Sequence, residues 1–261
     1  MRRVRIGIDV GGTHTKAVAI DNDTSEIIGK ASVLTTHQAE RGVAQGVIAC
    51  FQDCLAQNDI KPEEVIFIAH STTQATNAML EGDVAKVGIF SMGGGGLSGF
   101  LSKRQTNIEE IDLNNGKKVE LVSRYVKLKQ LNKDVAEEII NTFIQEGVQV
   151  IVASKAFGVD DATEEELVSS LAAEKGLLTT SASEITKLYG LATRTQTAAL
   201  NASILPKMLE TANSTEDSVR ETGIEVPLMI MRGDGGVMEI SEMRRSYFVD
   251  WCGFGHGERN G

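Results

Sequence analysis

Arg5-Ile6-Gly7-Ile8-Asp9-Val10-Gly11-Gly12-Thr13-His14-Thr15-Lys16-Ala17-Val18-Ala19-Ile20 is the stretch that decides the fold. Arg5 to Val10 is apolar at period two, the pattern of a strand that buries one face. Gly11-Gly12 breaks it, and Thr15 to Ile20 resumes an apolar strand. Asp21-Asn22-Asp23 is turn chemistry, and Ile27 to Leu34 reads as a third strand. The three form an antiparallel meander with two tight turns. A second strand follows the glycines where a dinucleotide fingerprint would place a helix, so that fingerprint is excluded. No G-x-x-x-x-G-K-[ST] occurs, which excludes a Walker loop.

The first turn carries chemistry. Two glycines let backbone N–H groups approach a phosphate closely. Thr13 and Thr15 add hydroxyl donors. Asp9, at the strand end beside the turn, can hold Mg²⁺ directly or through water. Lys16 can neutralise phosphate charge, although strand alternation can equally turn it to solvent. A bare Gly-Gly-Thr would read as a plain hairpin with an adjacent acid. The full Asp-x-Gly-Gly-Thr-x-Thr between two apolar strands favours phosphate binding.

Beyond the meander the chain alternates. A helix is expected from about Glu40 to Gln57, then a buried strand from Val65 to Ala69, a helix from Gln74 to Glu81 and a buried strand from Lys86 to Phe90. Gly93 to Gly96 is a glycine run, Ser102 to Gly116 is poorly patterned, and Val119 to Val126 alternates like a half-exposed strand. A helix over Asn132–Glu146 precedes a strand over Val148–Ala153. Thr163 and Glu166 form a capping box opening a helix to Lys175, and Glu164-Glu165-Glu166 reads as a solvated helix start. Leu177 to Ser181 is a further strand, Thr195 to Asn213 a helix broken near Pro206, and Val226 to Met231 a last buried strand. Three strands followed by α/β alternation imply a mixed sheet flanked by helices.

Two more segments are candidates. His70-Ser71-Thr72-Thr73-Gln74-Ala75-Thr76-Asn77 lies at a strand's carboxyl end and a helix's amino end, where open α/β sheets place ligands and a helix dipole favours an anion. Simple N-capping by Ser71 or Thr72 is an equally good reading of the pattern. Arg232-Gly233-Asp234-Gly235-Gly236 follows the last apolar strand. Asp234 there could be a ligand or an acid/base group and the glycines a cradle, although a strand-terminating turn is the simpler reading.

The chain has 261 residues, 41% of them hydrophobic, and 26 Lys+Arg against 36 Asp+Glu give a net charge of −10. That charge argues against nucleic-acid and anionic-membrane partners. No apolar run approaches the ~20 residues that span a bilayer. Cys50 and Cys54 sit on one helical face and, with Cys252, read as small thiols rather than a metal site, so the reducing cytoplasm is the expected compartment.

In this order the three motifs resemble those of the hydantoinase A / oxoprolinase / acetone carboxylase family. The matching blocks are Ile8 to Thr15, His70 to Glu81 and Met231 to Met238, the second being the most specific. The resemblance runs from about Arg5 to Arg245 and implies an actin/hexokinase-type, ribonuclease-H-like ATPase fold. It implies ATP and Mg²⁺, used to open a cyclic amide or to activate a substrate for carboxylation, by phosphoryl transfer to a carbonyl oxygen. Carried over, Asp9 organises Mg²⁺, and Gly11, Gly12, Thr13, Thr15 and Lys16 hold nucleotide phosphates. Thr72, Thr73, Asn77, Gly235 and Gly236 line the cleft, and Asp9, His70 and Asp234 are its catalytic candidates. The implied partners are a small hydantoin- or oxoproline-like substrate, a hydantoinase B-type second subunit and, through surface left apolar, another copy of the chain.

Two departures bear on this. The family's second phosphate loop, of the form Asp-x-Gly-Gly-Thr-x-x-Asp, does not occur. Ser246 to Gly261, which holds the only Trp, does not match the family's continuation. The expectation is a first lobe alone, with little ATPase activity by itself. Segments 1–82, 83–225, 226–245 and 246–261 are the expected divisions. An ATP-dependent carboxylase subunit and a non-catalytic binding module are the competing readings. A sugar kinase is more distant, because the block at His70 argues against it.

Overall fold

The structure is a computed structural model and describes residues 2–36, 43–71, 73–113, 116–231 and 236–240. The chain opens with β1 (Val4–Val10), β2 (His14–Asp21), β3 (Ile27–Leu34), α1 (Val43–Gln57), β4 (Val65–His70) and α2 (Thr73–Glu81). Then come β5 (Val87–Gly93), α3 (Gly96–Thr106), β6 (Glu110–Asp112), β7 (Lys118–Lys127), α4 (Lys133–Gln145), β8 (Val150–Lys155), α5 (Thr163–Glu174), β9 (Leu178–Ser181) and α6 (Ala182–Ile185). α7 (Leu191–Glu221), β10 (Leu228–Met231) and β11 (Val237–Glu239) complete it. Two compact units divide these elements: the described residues up to Asn77 together with those from Lys207 onward, and Ala78–Pro206.

The first unit holds a sheet of order β11-β10-β4-β1-β2-β3. β1, β2 and β3 are the expected meander, with Asp9 opposite Lys16, Val10 opposite Thr15 and His14 opposite Leu34. Alternation sends Val4, Ile6, Ile8 and Val10 to one face, with Thr15, Ala17 and Ala19 beside them, all buried. α1 packs against β2 and β3, and its Val47, Cys50, Phe51 and Cys54 are fully buried. Burial of each such side chain stabilises by about 1.5–3 kcal/mol, which is what commits a short meander to this partner. β4 runs parallel to β1, with His70 beside Ile8, and β10 runs parallel to β4, with Ile230 beside His70. The carboxyl ends of three strands therefore meet at one edge.

The second unit holds a sheet of order β6-β7-β5-β8-β9. β5 and β8 are buried along their whole length, as the near-continuous apolar runs of a parallel sheet require. Ile140 and Phe143 of α4 and Val168 and Leu171 of α5 pack with Phe90, Met92 and Ile151 in one core.

Three local expectations are corrected. α7 runs unbroken through Pro206 for 31 residues. Proline removes a helical N–H and costs about 3 kcal/mol in a helix interior. The burial of Ala202, Ile204, Leu205 and Met208 around it outweighs that cost. At α5 the cap is not Thr163: Asp161 Oδ1 accepts from the Thr163 amide at 3.2 Å and the Thr163 hydroxyl at 2.6 Å. Glu165, expected in solvent, is fully buried. The stretch from Ser102 to Gly116 carries the end of α3 and β6. The start of the expected helix at Glu40 lies outside the described residues.

Candidate active site

Asp9 stands near the carboxyl end of β1, where the chain departs toward β2 on one side and returns through β4 on the other. Such a switch in strand order opens a crevice beyond the strand ends, and open α/β sheets bind ligands there. Asp9 Oδ1 accepts the Ser71 hydroxyl and, at 2.9 Å, the Thr73 hydroxyl. Ser71 is itself fixed, because its amide donates to Ile8 O at 2.8 Å. Thr73 opens α2, so the carboxylate meets the amino end of a helix, where negative charge is favoured. Oδ2 of Asp9 carries no hydrogen bond among the described residues.

The turn beside it is closed by the Gly11 amide donating to His14 O at 3.0 Å. Neither glycine has a positive φ, so the need for glycine here is one of space. A Cβ on Gly11 would stand 2.9 Å from His14 O, a backbone clash. A Cβ on Gly12 would stand 3.4 Å from Asn77 Nδ2, filling the gap between turn and helix. Asn77 is four residues after Thr73 and so shares its face of α2. One helix face therefore lies along both Asp9 and Gly12. Asn77 Nδ2 is buried and has no hydrogen-bond partner among the described residues.

The other expected site residues fall as follows. Gly12 and Thr13 are exposed on the turn. Lys16 is exposed directly across the ladder from Asp9, on the same face. Thr15 is fully buried, and its hydroxyl lies 3.2 Å from that of Thr35, so it supports the turn from within and does not face the opening. His70 is 2% exposed between β1 and β10. Burial pushes its imidazole down to about 4, with the Asp9 charge acting in the opposite direction, so it is neutral near pH 7. Its Nδ1 has no hydrogen-bond partner among the described residues. Thr72, Asp234 and Gly235 lie outside the described residues, and Gly236 is exposed before β11.

Two residues that shape this site do not stand out in the sequence. Ser71 lies inside the second motif, where capping alone would account for it, yet it holds Asp9. Thr35 Oγ1 donates to Gly11 O at 2.7 Å and its amide donates to Thr13 O at 2.9 Å. The meander register is the signal that could have found it: if Leu34 pairs with His14, the next residue must lie beside the turn.

The donor set suits an anion accompanied by a hard cation. An orphaned amide N–H, a glycine whose missing Cβ leaves a gap and an open carboxylate oxygen converge there. Among the described residues no three His, Cys, Asp or Glu side chains gather as a metal cage. Mg²⁺ needs none, since it keeps several waters and takes one or two carboxylates plus phosphate oxygens.

A mixed α/β fold with a glycine-turn meander and an acidic residue at its first strand end is the ribonuclease-H-like arrangement. Residues 5–176 match the hydantoinase/oxoprolinase N-terminal region and residues 194–249 match the hydantoinase/oxoprolinase model. The chain belongs to the hydantoinase/oxoprolinase family. Nucleotide-free acetone carboxylase superposes with a TM-score of 0.70 at 19% identity, over 95% of this chain and 39% of that one. The ATP-dependent caprolactamase of Pseudomonas jessenii superposes with a TM-score of 0.61 at 20% identity, over 89% of this chain and 36% of that one. At such identities the likeness is one of fold, and this chain spans well under half the length of either. Among curated protein sequences none matches significantly. No helix among the described residues is long and apolar enough to cross a membrane.

Proposed function

We propose that this chain binds the phosphates of Mg·ATP in an ATP-dependent enzyme that opens a cyclic amide. The observation that carries this reading is the Asp9 carboxylate, held on one oxygen by Ser71 and Thr73 and, among the described residues, open on the other, beside a turn where Asn77 Nδ2 finds no partner among them. When bound, ATP supplies a phosphoryl group that makes an amide carbonyl oxygen a leaving group. This chain's residues do the positioning. Ser71 and Thr73 fix Asp9 so that its free oxygen faces a metal ion or a metal-bound water. Asn77 donates to a phosphate oxygen, which satisfies the orphaned N–H. Lys16 adds positive charge on the same face. His70, neutral and enclosed, holds the β1–β4 seam and carries no proton to substrate near pH 7. The acetone carboxylase and caprolactamase folds support ATP use, and the caprolactamase supports an amide as the bond attacked.

Calorimetric titration of the chain with Mg·ATP tests this. Binding that weakens at least tenfold in Asp9→Asn is expected. Equal affinity in wild type and Asp9→Asn would sink the assignment. Bicarbonate-dependent product formation in place of amide opening would turn the reading toward a carboxylase.

A further inference from the structure

We propose that α3 of one copy of this chain docks into an acid-rimmed cleft on the first unit of another copy. α3 turns its small side toward its own unit. Gly99, Ser102 and Thr106, at i, i+3 and i+7, form that inner face, with Gly99 and Thr106 buried. Gly99 sits so close that a Cβ there would overlap Gly94 O. Leu97, Phe100, Leu101 and Arg104 fall on the opposite side, at i, i+3, i+4 and i+7. Leu97 is 77% exposed, Phe100 63% and Leu101 48%. A helix normally buries such a stripe, and one left in water marks an interaction surface.

Charge selects the occupant. The chain carries a net −10, yet no acidic residue lies between Asp83 and Glu109, a stretch that holds Lys86, Lys103 and Arg104. Lys103 and Arg104 are exposed and make no ion pair among the described residues. The first unit holds the complement. A cleft of about 650 Å³ is lined by Pro62, Glu63, Val65, Glu225, Val226 and Pro227. That volume is in the range of clefts that seat a bound group. Glu64 is taken by Arg2 at 3.1 Å, whereas Glu63 and Glu225 are exposed and have no ion pair among the described residues. The apolar stripe of α3 enters between the prolines, and its two cations meet the two carboxylates. An anionic lipid surface is a poorer occupant, because the net charge of the chain repels it. The two surfaces are unlike, so the contact is heterologous: each copy gives α3 and receives at the cleft.

Sedimentation velocity of the whole chain, from micromolar to near-millimolar concentration, reads the association. Two variants at exposed positions accompany it. Phe100→Asp breaks the apolar stripe, and Glu63→Lys with Glu225→Lys reverses the charge of the cleft. Wild type is expected to associate, less strongly as salt is raised. Each variant alone should associate at least about tenfold more weakly. Mixed in equal amounts the two variants should pair, because one keeps the cleft and the other keeps α3. A wild-type chain that stays monomeric throughout would overturn the proposal, as would undiminished association of Phe100→Asp. If both variants are monomeric and their mixture does not pair, α3 and the cleft are not each other's seat, and the proposal falls. Binding of wild type to anionic vesicles in place of self-association would assign α3 to a lipid surface and overturn it as well.

Discussion

Thr73 donates its hydroxyl to Asp9 Oδ1 at 2.9 Å across 64 positions of sequence. Ser71 donates to the same oxygen. Hydrogen bonds to a charged acceptor are worth about 1.5–3 kcal/mol, and Thr73 is exposed, which puts it at the low end. Thr73→Val and Ser71→Ala should therefore each weaken Mg·ATP by roughly tenfold and lower the melting temperature by about 3–6 °C. Since both act through one carboxylate, the double variant should lose less than the two losses added. A double variant that binds like wild type would show that Asp9 needs no orientation.

The two glycines of the turn should respond differently. Gly11→Ala forces a Cβ to within 2.9 Å of a carbonyl oxygen, so the turn must shift and the chain should lose about 1–3 kcal/mol. Gly12→Ala meets only Asn77 Nδ2 at 3.4 Å, ordinary contact, so the fold should keep its stability. The added methyl nonetheless occupies the gap where a phosphate would approach, and Mg·ATP binding should fall. Urea denaturation and calorimetry on both variants separate these effects. The reverse order, with Gly11→Ala harmless and Gly12→Ala unfolding, would contradict the placement of the turn.

The meander was legible because alternation at period two is a strong constraint: a slip of one residue would bury Asp9 and expose Val10. Alternation alone left Lys16 open between phosphate and solvent; the register, with Asp9 opposite Lys16, puts the two on one face. Thr35 was not legible as a residue that shapes the site, because one threonine after a strand has no pattern of its own. Its role depends on where the ladder carries it. Pro206 misled because it is a local rule, and the burial of the α7 residues on either side of it overrode it. Glu165 misled because an acidic run at a helix start is normally solvated, and only the tertiary donors around it explain its burial.

Those donors make Glu165 a sharp stability test for the second unit. Its Oε1 accepts the Lys155 amide at 2.7 Å, and its Oε2 accepts the Ser183 amide at 3.0 Å and hydroxyl at 2.6 Å. Gly158 packs so closely that a Cβ there would overlap Oε1. Glu165→Ala strands three buried donors and should cost about 3–5 kcal/mol. At about 2–4 °C per kcal/mol, the thermal transition should drop by at least roughly 6 °C. Glu165→Gln keeps the shape but turns an N–H toward donors, and should fall between. A shift below about 2 °C in the alanine variant would mean the three bonds are not made.

His70 should make the first unit sensitive to acid. Burial holds its imidazole at about 4 in the folded chain, against an ordinary value of 6.5. Between those values the unfolded chain binds a proton that the folded chain does not, so folding weakens as pH falls through that window. The contribution is fully present above pH 6.5 and approaches a loss of about 3 kcal/mol near pH 4, each pH unit crossed costing about 1.4 kcal/mol. Carboxylates titrate over the lower part of the same range, so a difference between variants is the useful quantity. His70→Gln keeps a polar group at the seam and removes the titration. Urea midpoints measured from pH 7 down to pH 4.5 should fall more steeply for wild type than for His70→Gln. Parallel slopes would mean that the imidazole is charged or solvated when folded, and that the β1–β4 seam is not sealed.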